Sequence, residues 1–85
     1  MQKSLQKLIG TNVQLISIQS NNVKAAGYHD FTDVMTVQFK SGATYEYYAV
    51  ALELWEDFLQ AQPDPWSKIG YPRLVQGNFV YEEIK

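Results

Sequence analysis

The hydrophobic period of this chain changes once, at Tyr48, and that change constrains the fold more than any other feature. Before it the period is two. Met35, Val37 and Phe39 alternate with Val34, Thr36 and Gln38, then Lys40-Ser41-Gly42-Ala43 supplies a loop of hairpin length. Tyr45 and Tyr47 follow on one side, with Glu46 and Tyr48 on the other. Side chains that alternate in this way line the two faces of a strand, and a glycine in the short connection supplies the positive φ that a tight hairpin needs. After Tyr48 the spacing becomes three to four. Val50, Leu54, Phe58 and Ala61 form a line flanked by Ala51, Trp55 and Leu59, with Glu53, Glu56, Asp57 and Gln60 opposite. That pattern predicts an amphipathic helix of about three turns, which Pro63 ends because proline cannot continue the ladder. A β-hairpin that leads directly into an amphipathic helix excludes an all-helical bundle and an all-β sandwich.

The flanking segments extend this unit. Ser4 to Ile9 reads as a short helix with Leu5, Leu8 and Ile9 on one side and Gly10 as its stop. Val13 to Ile18 and Val23 to Tyr28 read as strands separated by the turn cluster Ser20-Asn21-Asn22, and His29-Asp30-Phe31-Thr32-Asp33 is a polar turn. Pro63-Asp64-Pro65-Trp66 through Pro72 reads as a rigid loop, and Phe79-Val80-Tyr81 as a short closing strand. The expected fold is therefore α+β: a small antiparallel sheet of three to five strands packed against one amphipathic helix, with a short N-terminal helix. Residues 1–85 are expected to form one domain.

Eighty-five residues without cysteine leave no disulfide, thiolate metal site or cysteine nucleophile. The core must come from the 46% hydrophobic content, which includes two Trp, six Tyr and four Phe. No apolar run approaches the roughly 18 residues of a membrane span, and Met1-Gln2-Lys3-Ser4-Leu5 opens no signal-peptide core, so a cytoplasmic chain is expected. The net charge of −2 gives no overall positive field for nonspecific nucleic-acid binding. It is unevenly spread. Four lysines against two aspartates leave residues 1–42 at +2, and three cations against seven carboxylates leave residues 43–85 at −4.

The series Ser20-Asn21-Asn22-Val23-Lys24-Ala25-Ala26-Gly27-Tyr28, then Met35 to Gly42, then Tyr45-Glu46-Tyr47 and Val50, resembles the KTSC domain family. The family takes its name from a domain at the C-terminus of some lysyl-tRNA synthetases, and is otherwise a small stand-alone protein of bacteria and phages. The likeness covers residues 20–84, leaving 1–19 as an N-terminal extension. Two positions depart from the family's layout: Ala51 stands where it usually has proline, and the loop from Gln62 to Arg73 differs. The resemblance implies no settled activity. The synthetase association suggests RNA binding.

Catalytic constellations are poorly represented. His29 is the one histidine, and Ser41 and Asp33, which would complete a triad with it, lie in no nucleophile-presenting turn. His29, Asp30 and Asp33 are a legitimate metal set by residue type, but Asp in turns ordinarily caps backbone groups. No enzyme activity, metal or cofactor is therefore expected. The candidate binding residues are aromatic and basic: Tyr28, Tyr45, Tyr47, Lys68, Tyr71 and Arg73. Rings that alternate onto one sheet face are either core, with hydroxyls at the rim, or an open platform. Two functions fit. One is a non-enzymatic module that binds a protein partner or its own copy as a homodimer, including the phage-type inhibition of a host protein. The other is a nucleotide or RNA binder that stacks bases on the tyrosines, with Lys24, Lys40, Lys68 or Arg73 near phosphates.

Overall fold

The computed structural model describes residues 14–84. Its strands are β1 (Ile16–Ser17), β2 (Val23–His29), β3 (Val34–Phe39), β4 (Thr44–Tyr47) and β5 (Tyr81–Ile84), and its helices are α1 (Leu52–Gln60) and α2 (Trp66–Val75). The five strands form one antiparallel sheet in the order β1-β2-β3-β4-β5. The N-terminal helix expected over Ser4 to Ile9 lies outside the described residues, as does the start of the strand expected from Val13.

The hairpins form for the reasons legible in their turns. Asp33, at φ 59°, donates its N–H to the His29 carbonyl at 2.8 Å. Gly42 sits at φ 105°, a conformation that side chains rarely adopt, and closes the β3–β4 turn through its N–H to the Phe39 carbonyl at 3.0 Å. The registers Tyr28↔Met35, Met35↔Tyr47 and Tyr47↔Tyr81 line up one row of side chains across four strands, and Ala26↔Val37↔Tyr45 a second on the same face. Both helices belong to this face. Phe58, Met35, Leu74, Val23, Val37 and Val50 are fully buried there.

The chain turns from sheet to helix at Ala49, φ 57°, and Val50 is then pinned at both backbone groups. Its N–H donates to the Asp33 carbonyl at 2.8 Å, and its carbonyl accepts the Tyr28 hydroxyl at 2.6 Å. Leu54 and Phe58 bury the apolar stripe of α1, Glu53 sits in its first turn where a carboxylate suits the helix dipole, and Ala61 caps its end on Asp57 and Phe58 carbonyls. Ala51, the N-cap, has no side-chain cap, and its φ of −70° and ψ of 148° are values a proline adopts freely. Among the described residues its N–H finds no backbone acceptor. Ala51→Pro, the residue usual in the resembled family, is therefore expected to stabilise the fold by about 0.4–1 kcal/mol, since it removes freedom from the unfolded chain alone. A melting temperature raised by a few degrees checks this, and a lowered one contradicts it.

The structure corrects the sequence expectation in three places. The segment read as a rigid loop carries a second helix: Trp66–Val75 is wound as a ten-residue π-helix that includes Pro72. Proline lacks an N–H and crowds the carbonyl four residues back, which argues against an α-helix but less against a wider turn. The wide winding shows at its end, where Gln76 donates to the Tyr71 carbonyl five residues back, at 3.0 Å. The closing strand is displaced from Phe79–Tyr81 to Tyr81–Ile84, because Phe79 still donates to Leu74 at the helix end. The first strand is two residues long rather than six among the described residues.

Candidate functional site

Met35 and Val37 share the helix-bearing face with Tyr45 and Tyr47 because two helices, rather than one, roof it. Trp55 of α1 stacks on Tyr28 of β2, with centroids 5.9 Å apart and planes 13° apart, and on Phe58 within its own helix. Trp66 of α2 lies edge-on to Phe39 at 4.7 Å and 6.5 Å from Tyr47. Between α2 and the β3–β4–β5 end of the sheet the roof does not close. A cleft of about 540 Å³ remains, open to solvent, with rings of Phe39, Tyr45, Tyr47, Trp66, Tyr71, Phe79 and Tyr81 among its walls. None of its lining residues is charged. Its polar side-chain groups are hydroxyls, the Trp66 indole N–H and the Asn78 amide. This volume lies within the range of pockets that hold small molecules or single anchoring side chains.

The rings make a continuous network. Tyr45 is 5.7 Å from Tyr81 and 6.3 Å from Tyr47, Tyr47 is 5.9 Å from Tyr81, and Phe39 is edge-on to Tyr45 at 5.9 Å. Offset and edge-to-face contacts of this kind hold aromatic walls rigid at little entropic cost. Burial, then the neighbouring Tyr45 and Tyr81, push the Tyr47 phenol up to about 12, so its hydroxyl stays neutral through the physiological range. Trp66 can form the wall because residue 70 is glycine: a Cβ there would fall inside the Trp66 ring.

The six residues singled out from the sequence do not form one group. Tyr45, Tyr47 and Tyr71 line the cleft. Tyr28 stands in the same cross-strand row as Tyr47 but two strands away, under α1. Its hydroxyl is spent on Val50 and Asp33, and desolvation, then the Asp33 bond, push it up to about 12. Arg73 is bound to Asp57 of α1 at 2.8 Å, tying the two helices together. Lys68 is exposed on α2. Sequence reasoning missed Trp66, Phe79 and Tyr81 as walls. The Trp66-x-x-x-Gly70 spacing was the available signal, since a glycine one helical turn after a large ring leaves room for that ring against the backbone.

The opposite face of the sheet is polar. Glu46 is only 4% exposed, in register with Thr36 on one side and Glu82 on the other. The Tyr48 hydroxyl lies 3.0 Å from Glu46 Oε1 and 3.1 Å from Glu82 Oε1, so its one hydrogen serves two carboxylates, and desolvation with these acceptors raises its pKa. Among the described residues no three His, Asp or Glu side chains gather as a metal site, and no helix is long and apolar enough to cross a membrane.

An antiparallel meander roofed by two helices, with an aromatic cleft between roof and sheet, defines a small α+β module. This chain belongs to the KTSC domain family, whose profile matches residues 19–63. A protein of Tsukamurella paurometabola is 38% identical over 45 residues, covering 53% of this chain and 67% of that protein. A lysine–tRNA ligase of a Nostoc species is 30% identical over 70 residues, 82% of this chain but only 12% of the ligase. The crystal structure of a KTSC domain protein from Yersinia pestis superposes with a TM-score of 0.70 at 22% identity, covering 86% of this chain and 99% of that one, a likeness of fold. The matched stretch holds one wall of the cleft, Phe39, Tyr45 and Tyr47. The other wall, with Trp66, Tyr71, Phe79 and Tyr81, lies beyond it.

Proposed function

We propose that this protein is a non-enzymatic interaction module whose aromatic cleft receives an apolar or aromatic side chain of a protein partner. One observation carries the reading: a 540 Å³ cleft walled largely by rings and lined by no charged residue. Acid–base or nucleophilic chemistry needs a group activated near neutral pH and aimed into the cleft, and the lining supplies no carboxylate, imidazole or amine, only phenols, a serine hydroxyl, an indole N–H and an amide. An uncharged aromatic concavity suits the anchor residues that dominate protein interfaces, which fill desolvated pockets. The alternative, base stacking on Tyr45 and Tyr47, would require cations for the phosphates. Arg73 is already engaged by Asp57, and Lys40 and Lys68 stand beside the lining rather than in it, which gives stacked bases two flanking cations at most, so we favour the protein partner.

Titration with N-acetylphenylalaninamide, followed by NMR, is expected to shift the resonances of Tyr45, Tyr47 and Trp66. Adenosine monophosphate and a uridine oligomer at low salt are expected to leave them unmoved. Salt-dependent shifts from either nucleotide, with none from the amide, would replace this reading with the nucleic-acid one.

A further inference from the structure

The β2–β3 turn presents an aromatic ring that the fold does not use. Phe31 is 89% exposed at the tip of this hairpin, more than any other large hydrophobic side chain described, and its one ring partner among the described residues is His29, at 6.5 Å between centroids. Turn tips are ordinarily polar. Asp30 precedes it and Asp33 follows two residues later, so the ring projects from an acidic tip.

The cleft has the complementary character. Its walls are apolar and uncharged. Exposed lysines stand within two residues of that wall: Lys40 between the lining residues Phe39 and Ser41, and Lys68 two residues after Trp66. Among the described residues neither lysine forms an ion pair. Phe31 is 89% exposed and is not among the residues that line the cleft, so a chain does not fill its own cleft with this ring.

We propose that a second copy of this chain is an occupant of the cleft, with Phe31 of one molecule seated among Tyr45, Tyr47 and Trp66 of the next and Asp30 beside Lys40 and Lys68. The inference rests on the reading of the cleft as a receptor for aromatic side chains, and adds which ring it takes. The contact joins two different surfaces of the molecule.

Sedimentation equilibrium over a wide concentration range tests it. The wild-type average mass is expected to climb above that of one chain. Phe31→Ser alters an exposed side chain, so it should melt like the wild type yet associate at least about tenfold more weakly, as burying a phenylalanine ring implies. Asp30→Lys and Lys40→Asp should each weaken association, and the two together should restore it. A wild type that stays at one-chain mass, or a Phe31→Ser protein that associates as wild type does, overturns the proposal. The two readings separate on the Phe31→Ser protein. If N-acetylphenylalaninamide still binds its cleft while the wild type is monomeric, the self-contact fails and the receptor reading stands. If the amide does not bind, the receptor reading itself fails.

Discussion

Phe58→Ala is expected to remove most of the stability of this domain. Phe58 is fully buried on α1, stacked 6.1 Å from Trp55 and part of the cluster with Met35, Val37, Leu54 and Leu74. Truncating a phenylalanine in such a place costs about 3–5 kcal/mol, because the cavity left behind adds to the lost transfer energy. A domain of this size holds only about 4–13 kcal/mol in total, at roughly 0.05–0.15 kcal/mol per residue. No disulfide offsets the loss. At about 4–8 °C per kcal/mol the melting temperature should fall by at least about 12 °C, and a protein at the low end of the stability range would show no cooperative melt. Circular dichroism against temperature measures this. A variant that melts within a few degrees of wild type would mean that α1 is not the principal cover of the sheet.

Gly70→Ala is expected to damage the cleft more than the fold. A methyl group at residue 70 would overlap Cε3 and Cζ3 of Trp66, so the indole must leave the wall it forms against Phe39 and Tyr47. Overpacking of this kind costs about 1–3 kcal/mol, less than deletion of a core phenylalanine. Trp66 lines the cleft, so any displacement of its ring alters the cleft wall. The expected result is a folded protein with altered tryptophan fluorescence and binding of N-acetylphenylalaninamide weakened at least about tenfold. Unchanged emission together with unchanged binding would show that Trp66 does not depend on Gly70 for its position. Amide signals of β1 and β2, no residue of which lines the cleft, should hold, which separates a local displacement from unfolding.

Much of the architecture was legible because it is local. The alternation from Val34 to Tyr47 with Gly42 between, and the three-to-four spacing from Val50, each reflect a backbone period that a short segment fixes by itself. The second helix was not legible. Trp66–Val75 has a glycine and a proline inside it and no apolar stripe of α-helical period, so neither propensity nor pattern announces it, and packing on the sheet must supply what the sequence lacks. The candidate site was legible in its residue type but not in its membership. Tyr45, Tyr47 and Tyr71 could be named from the chain, while Tyr28, with the same chemistry, is drawn to Val50 and Trp55 and does not line the cleft.

The sequence by itself determined an α+β hairpin-and-helix unit, a core that no disulfide can staple, and a surplus of rings beyond what that core consumes. Tertiary structure alone decided where the surplus goes. Strand register sets Tyr47 beside Met35 and Tyr81, and a helix of unforeseen winding sets Trp66 above them. The reason is physical. Periodicity reports which side of an element a residue occupies, whereas a cleft exists only where two elements, distant in sequence, pack without closing the space between them.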